Sequence, residues 1–306
     1  MNENNGLNYL ITGCNGQLGR ELIETIGNPS GGDQITPVDI YDYDLKKEDE
    51  IEQMFQDAKP DVIVHCAAYT DVEGAEENEK KCMKINHEAT KLIVDRAIEI
   101  NIQKMLYVST NYVFDGLREN PYTEMDQPRP FGVYATSKYL GEQEVRRLAQ
   151  KAIIVRSSAI FGLGSGRINN FVDKILNFAR NTRKEEIKII NDEFINPTYS
   201  ADLAHAIKII LSHHNLQGVF HVVNSGEANW CDFAKHVVDY CKLDKKIIPI
   251  SSSEYECKAP RPKNGLLVGQ RLKHYCGLEL RSWQSALEDY LYSIGSIKED
   301  KELLNG

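Results

Sequence analysis

Over the first 160 residues, short apolar runs alternate with longer stretches whose apolar positions recur every three to four residues. The short runs lie at 7–12, 34–40, 62–66, 104–109 and 152–156 and are rich in Ile, Val and Tyr. Their hydrophobicity is continuous rather than alternating, which suits strands covered on both faces, as in a parallel sheet. Between them, 17–26, 47–58, 79–100 and 134–150 carry helical periodicity; in the last, Leu140, Val145 and Leu148 form an apolar stripe among charges. Strand–helix alternation of this kind predicts an α/β fold with a doubly wound parallel sheet.

After Gly162 the pattern loosens. A loop carrying Gly162, Gly164 and Gly166 opens a helix over 170–181, and a strand follows at 187–190. A helix at 200–211 and a strand at 219–223 read as returns to the main sheet. Beyond 225, helices at 230–241 and 282–294 alternate with proline-bearing loops. We therefore expect one domain over 1–160, with returns near 200–223, and a smaller, partly interleaved C-terminal lobe over 161–199 and 224–306. The charged tail 298–306 is expected to fray.

Composition narrows the function classes. The 306 residues carry a net charge of −9 and no basic stripe, which argues against a nucleic-acid or anionic-membrane partner. No run of about 18 apolar residues is present, and the polar start 1–6 predicts no signal peptide. Seven cysteines form no C-x-x-C pair, and Cys66 sits inside an apolar run, so buried reduced thiols in a cytoplasmic protein are expected. The eight histidines form no metal-ligand cluster, so no metal site is assigned; His213-His214 reads as structural. Glu73, Glu76, Glu77 and Glu79 read as a solvated helix N-terminus, where carboxylates favour the dipole.

The first strand ends in Thr12-Gly13-Cys14-Asn15-Gly16-Gln17-Leu18-Gly19, a G-x-x-G-x-x-G pattern. Glycines there let the backbone turn tightly and approach a pyrophosphate, whose charge rests on the helix N-terminus. The pattern follows a strand and opens a helix, and Asp39 ends the next strand, which is the context of a Rossmann-type dinucleotide site. Asp39 either bonds a ribose 2′-hydroxyl, which favours NADH over NADPH, or faces solvent.

Tyr134-Ala135-Thr136-Ser137-Lys138 is a Y-x-x-x-K pair. Chance supplies about one such pair in a chain of this composition, and Tyr43 with Lys47 is a second. Position favours the first copy: it opens a helix after the fourth strand, and i, i+4 spacing puts both side chains on one face. A tyrosine titrates near ~10 and needs a nearby cation to exchange a proton at neutral pH, a shift of about three units or roughly 4 kcal/mol. Ser109-Thr110 ends the fourth strand at the carboxyl edge, where such sheets bind ligands, so Thr110 is either a carbonyl partner or a turn cap.

These runs, with Ala67-Ala68-Tyr69-Thr70, Asn111-Tyr112-Val113-Phe114-Asp115-Gly116 and Gly141-Glu142, resemble the extended short-chain dehydrogenases, and within them the dTDP-4-dehydrorhamnose reductase family. Arg156-Ser157-Ser158, Asn196-Pro197-Thr198, Trp230 before Phe233-Ala234, and Arg261-Pro262 extend the resemblance over nearly the whole chain. It implies reduction of the C4 ketone of dTDP-4-dehydro-L-rhamnose, or a close nucleotide 6-deoxy-4-ketosugar, in cell-surface polysaccharide biosynthesis. NADH or NADPH would supply the hydride and Tyr134 the proton. Lys138 would hold the nicotinamide ribose and depress the tyrosine pKa, and Thr110 would bond the keto oxygen. Gly13, Gly16, Gln17, Leu18 and Gly19 would meet the pyrophosphate, Asp39 the adenosine ribose, Asp44 and Leu45 the adenine, while Ala67, Ala68 and Tyr69 line the cofactor. Thr110, Asn111, Tyr134, Ala159 and Arg261 would face the substrate, Arg261 near a phosphate or simply at the surface. Some members form Mg²⁺-bridged homodimers through surface glutamates; no such metal site is assigned here.

Three positions depart from the family pattern, which has Asp at Asn111, Trp at Ala159 and an Asp-Gln pair where this chain has Asn191-Asp192-Glu193. All bear on the sugar rather than on hydride transfer. Two other readings compete. A nucleotide-sugar epimerase or dehydratase shares the glycine turn and the Tyr/Lys pair but returns the hydride to the same sugar. A non-catalytic, NADP-binding regulatory subunit of the methionine adenosyltransferase type also resembles the family, but such a module needs no proton donor.

Overall fold

In the computed structural model the described residues are 6–27, 32–164 and 170–296. Gly166 of the glycine-rich loop and the tail 298–306 lie outside them. The core is a six-stranded sheet of β1 (Asn8–Thr12), β2 (Gln34–Val38), β3 (Val62–His65), β4 (Lys104–Thr110), β5 (Ala152–Ser157) and β6 (Gly218–His221). All pairings are parallel, in the order β6-β5-β4-β3-β1-β2. This is the expected doubly wound α/β sheet, and the Gly218–His221 strand joins it beside β5.

The chemistry of each strand matches its place. β3 and β5 are buried at every position, as their unbroken apolar runs require. β2 is the half-exposed edge and carries Pro37, which has no N–H to donate and is tolerated only there. Strand order reverses at β1, so the carboxyl ends of β1 and β3 flank the crevice in which such sheets bind ligands. The helix Gln17–Ile26 buries Leu18, Gly19, Leu22 and Ile26 on one stripe against this sheet.

The helix expected over 79–100 is one rod with a defect. Glu79–Met83 and Ala89–Glu99 are α-helical, while Lys84–Glu88 between them is π-helical. Such a bulge turns side chains out of register, often at functional sites; here it aims Asn86 into the protein. The helix bearing Tyr134 and Lys138 runs from Val133 to Arg146, and its last turn gives way to a 3-10 turn at Ala149–Lys151.

The rest of the chain forms a second apolar core, with Phe161, Leu176, Phe233, Trp283 and Tyr290 among its members. Three two-stranded ladders frame it: Glu186–Ile190 with Lys246–Ile250, Phe194–Ile195 with Ala228–Asn229, and Ile160–Phe161 with Thr198–Tyr199. The strand Lys246–Ile250 and the helices Val72–Glu77 and Gln270–Cys276 were not expected; each is seven residues or shorter, too short to show a period. Among the described residues all seven cysteines are free, and Cys257, against expectation, is exposed. No helix of the described residues is long and apolar enough to cross a membrane.

Candidate active site

The glycine turn sits at the reversal point, and its glycines serve different ends. Gly13 has φ +70°, and a Cβ there would lie 2.7 Å from the Ala67 nitrogen, so the β1 and β3 ends can approach only because it is glycine. A Cβ on Gly19 would meet the Gly13 carbonyl oxygen at 2.3 Å, so this glycine lets the helix pack onto the turn. At Gly16, the helix N-cap, an added Cβ would touch Gly13 O alone, at 3.2 Å, which leaves that side open to a ligand. Gln17 Oε1 is buried without a hydrogen-bond partner among the described residues. A cradle with an open N-terminus and an unused polar atom fits a dinucleotide pyrophosphate.

Asp39 does not face away. Its Oδ2 accepts from the Asn15 backbone N–H at 3.0 Å, within the turn, and its Oδ1 from Ile40 N–H. Asp44 caps its own loop by accepting from Lys46 N–H and pairing with Lys46 Nζ at 3.0 Å, which holds its carboxyl below the usual range despite burial. Leu45 packs against the sheet core. Ala67 N–H donates to Thr12 Oγ1 at 3.3 Å, and Tyr69 is clamped by Asn86, which accepts from its N–H at 2.7 Å and donates to its carbonyl at 3.0 Å.

Asn86 was not legible in the sequence, because only the π-bulge turns it inward. It also donates to Ser137 Oγ at 2.9 Å, so one buried amide joins the cofactor-side loop to the helix that carries Tyr134 and Lys138. Lys138 is buried, donates from Nζ to Val108 O at 2.7 Å and lies 4.1 Å above the Tyr107 ring. Burial pulls its ammonium down to about 7, against the opposing pull of the Glu142 carboxylate. Tyr134 stands edge-on to Tyr112, ring centroids 5.7 Å apart.

The phenol corrects one expectation. Burial raises the Tyr134 pKa well above its usual value, and the neighbouring Thr110 hydroxyl opposes this only in part. The protein's own groups therefore keep Tyr134 protonated; they do not deliver the depressed value expected from Lys138.

Thr110 ends β4 and is the turn cap that one of its two readings expects. Its Oγ1 caps the following turn by accepting from Tyr112 N–H at 3.2 Å, and it lies beside the Tyr134 phenol. Asn111 is engaged: its Nδ2 donates to Gly265 O at 3.0 Å, and its Oδ1 accepts from Thr110 Oγ1 at 3.3 Å. It thus orients Thr110 and ties it to the C-terminal lobe. Ala159 packs against the lobe core with φ +43°, a left-handed conformation that costs a non-glycine residue about 1 kcal/mol. Arg261 is paired with Glu73 at 2.8 Å.

That pair overturns the reading of the glutamate cluster as merely solvated. Glu73 also accepts from the Lys258 and Ala259 N–H groups, Glu77 pairs with Lys258 Nζ, and Glu76 Oε1 accepts from Val133 N–H at 2.8 Å at the start of the Tyr134 helix. The short helix Val72–Glu77 therefore pins both that helix and the 258–261 loop. Below the site, Glu142 accepts from Arg156 Nε and Nη2 at 2.8 and 2.7 Å and from Ser109 Oγ at 2.6 Å, all three residues being buried. Among the described residues no group of three or more His, Cys, Asp or Glu is placed to hold a metal ion.

Comparison with known proteins places this arrangement. Residues 7–295 match the family model described as RmlD substrate binding domain. The chain is 32% identical over 282 residues to the spore coat polysaccharide biosynthesis protein SpsK of Bacillus subtilis, covering 92% of this chain and 96% of that one. It is also 32% identical over 291 residues to a dTDP-4-dehydrorhamnose reductase of Aggregatibacter actinomycetemcomitans, covering 92% and 97%. A crystal structure of dTDP-4-dehydrorhamnose reductase from Bacillus anthracis in complex with NADP superposes with a TM-score of 0.87 at 34% identity, covering 94% of this chain and 99% of the other.

Proposed function

The chain belongs to the RmlD substrate binding domain family, and on that premise we propose that it is an NAD(P)H-dependent dTDP-4-dehydrorhamnose reductase. Its substrate is the small-molecule nucleotide sugar dTDP-4-dehydro-L-rhamnose, reduced at C4 to dTDP-L-rhamnose. The observation that carries this reading is the meeting of Thr110, Tyr134 and Lys138 at the carboxyl end of β4, beside the glycine turn, in a chain similar to such reductases over nine-tenths of its length.

NADH or NADPH, when bound, supplies the hydride. The rest is proton and charge management by the protein. Thr110 turns its one hydroxyl hydrogen from Asn111 Oδ1 to the keto oxygen and polarises it. Tyr134, held protonated by burial, delivers its proton to that oxygen as the alkoxide forms. A raised phenol suits this direction, because an alcohol is a far weaker acid than any tyrosine, and the acid form is the one that ketone reduction consumes. Lys138, with Nζ fixed by Val108 O, holds the ribose and brings positive charge as it protonates near neutral pH. Asn111 orients Thr110, and Arg261 offers a guanidinium to the diphosphate. A regulatory binding module has no use for the acid at Tyr134.

The test follows absorbance of reduced nicotinamide with dTDP-4-dehydro-L-rhamnose generated in place. Sugar-dependent oxidation of NADH or NADPH is expected. Protein that binds the cofactor yet oxidises none with this sugar would refute the reading.

A further inference from the structure

We propose that Glu193 is a specificity-determining residue of the substrate lobe, a buried carboxylate that accepts a hydrogen bond from a hydroxyl of the sugar ring. The proposal rests on the reductase reading above and adds a subsite to it.

Glu193 is only 5% exposed. The next residue, Phe194, starts a short strand that pairs with Ala228–Asn229, with Phe194 opposite Asn229. That ladder sets Glu193 near Trp230, whose indole favours the ionised carboxylate. Trp230 in turn lies 4.7 Å, ring to ring, from Phe171, so an aromatic wall backs the carboxylate. On the other side stands Tyr112, whose phenol feels the charges of both Arg261 and Glu193 and whose ring meets Tyr134 edge-on. The neighbouring Phe194 carbonyl accepts from Gly265 N–H at 2.9 Å, and Gly265 O accepts from Asn111 Nδ2 at 3.0 Å, which ties this segment to the residue beside Thr110.

A buried carboxylate needs partners, since desolvation otherwise drives it to its neutral form; burial does raise the Glu193 pKa. Arg261, whose charge favours the ionised form, makes its ion pair with Glu73 instead, and Arg261 Nε is buried without a hydrogen-bond partner among the described residues. A carboxylate offers about four acceptor positions, and the neighbouring Trp230 leaves most of them for a ligand. The charges of the acceptor and the guanidinium thus both reach Tyr112, whose ring meets that of Tyr134 edge-on. A nucleotide sugar carries both matching chemistries: ring hydroxyls that donate, and a diphosphate that accepts.

The test compares two ligands on the full chain by calorimetry with NADP⁺ present: dTDP, and dTDP-L-rhamnose, which adds the sugar. Glu193→Ala should weaken dTDP-L-rhamnose about tenfold or more, the effect of removing a hydrogen bond to a charged group, while dTDP stays within about twofold. Glu193→Gln keeps the volume and removes only the charge, so it holds the fold should the alanine variant not, and should weaken the sugar nucleotide alone, by about threefold or more. Equal loss for both ligands would overturn the proposal, because Glu193 would then act on the diphosphate through Arg261. No loss for either would overturn it too. Wild-type protein that binds dTDP-L-rhamnose no tighter than dTDP, and oxidises no cofactor with the ketosugar, would instead remove the reductase reading on which the subsite depends.

Discussion

Replacing Glu142 with Gln removes one charge from a pair that is otherwise closed to water. Arg156 is 1% exposed and Glu142 fully buried, joined by two hydrogen bonds of 2.8 and 2.7 Å. The glutamine amide cannot neutralise the guanidinium, and nothing in the pocket replaces the lost carboxylate. Leaving one member of a buried pair uncompensated costs about 3–5 kcal/mol. Some relief exists already, since the guanidinium lies 5.1 Å over the Phe114 ring, but its Nη1 has no hydrogen-bond partner among the described residues. At about 2.1 cal/mol/K per residue, the unfolding entropy of a chain this long is about 0.64 kcal/mol/K, so the loss lowers Tm by about 5–8 °C. Calorimetry and urea unfolding of Glu142→Gln measure it. The double variant Glu142→Leu with Arg156→Met removes both charges and should recover most of the loss, because a buried pair is worth little against apolar residues of similar volume. A Glu142→Gln penalty below about 1 kcal/mol, or a double variant no better than the single one, would refute the reasoning. Ser109 precedes Thr110 and bonds the same carboxylate, so turnover should fall in the single variant as well.

Tyr134→Phe should lower kcat by about 10²–10⁴-fold with cofactor affinity retained; unchanged turnover in steady-state assays would take Tyr134 out of the chemistry. Lys138→Met should weaken cofactor binding and also change stability with pH. The folded pKa of Lys138 is depressed, so below about 7 the ammonium is charged in both states and its full desolvation penalty is present, whereas between about 7 and 10.5 only the unfolded chain binds the proton and wild-type stability rises. The methionine variant should therefore gain most below pH 7, and urea midpoints at pH 6 and pH 9 will show whether that gap narrows. Asp39→Ala should raise the NADPH-to-NADH preference in kcat/KM by about tenfold, as the carboxylate that repels a 2′-phosphate is removed; an unmoved ratio would place the ribose elsewhere. Gly13→Ala forces a side chain to φ +70° and to 2.7 Å from Ala67 N, and should abolish cofactor binding in a titration while leaving most of the β1–β6 sheet intact by circular dichroism.

What the sequence disclosed was what physics keeps local. Continuous apolar runs marked β1, β3, β4 and β5 within one residue, because a strand covered on both faces has no polar position to blur it, whereas the half-exposed edge β2 was marked only within two. The glycine turn was readable for the same reason: Gly13, Gly16 and Gly19 each answer a steric demand within a few residues or at the adjoining strand. Tyr134 and Lys138 became legible only through their place after the fourth strand, since the same pair at Tyr43 and Lys47 marks nothing comparable. Hidden from the sequence were the contacts that hold this machinery. Glu73 meets Arg261 across 188 positions, Glu76 reaches Val133 across 57, and Asn86 reaches Ser137 across 51 through a π-bulge with no sequence period of its own.

Those hidden contacts divide the work of the site in a way the motif residues alone do not show. The proposed site is held by polar residues from other elements: Tyr69 and Ser137 by Asn86, Thr110 by Asn111, the start of the Tyr134 helix by Glu76, and Arg261 by Glu73. Asn111 and Glu73 also hold the lobe, through Gly265 and the 258–259 backbone. Thr110, proposed to bond the ketone, and Arg261, proposed to meet the diphosphate, are thus fixed by the same two side chains that dock the lobe against the sheet. The position of the sugar relative to the proton donor is then set by lobe docking as much as by the Tyr134 helix. On the proposed reading, a change such as Ala159, which packs against the lobe core, would alter which sugar fits without touching the acid at Tyr134.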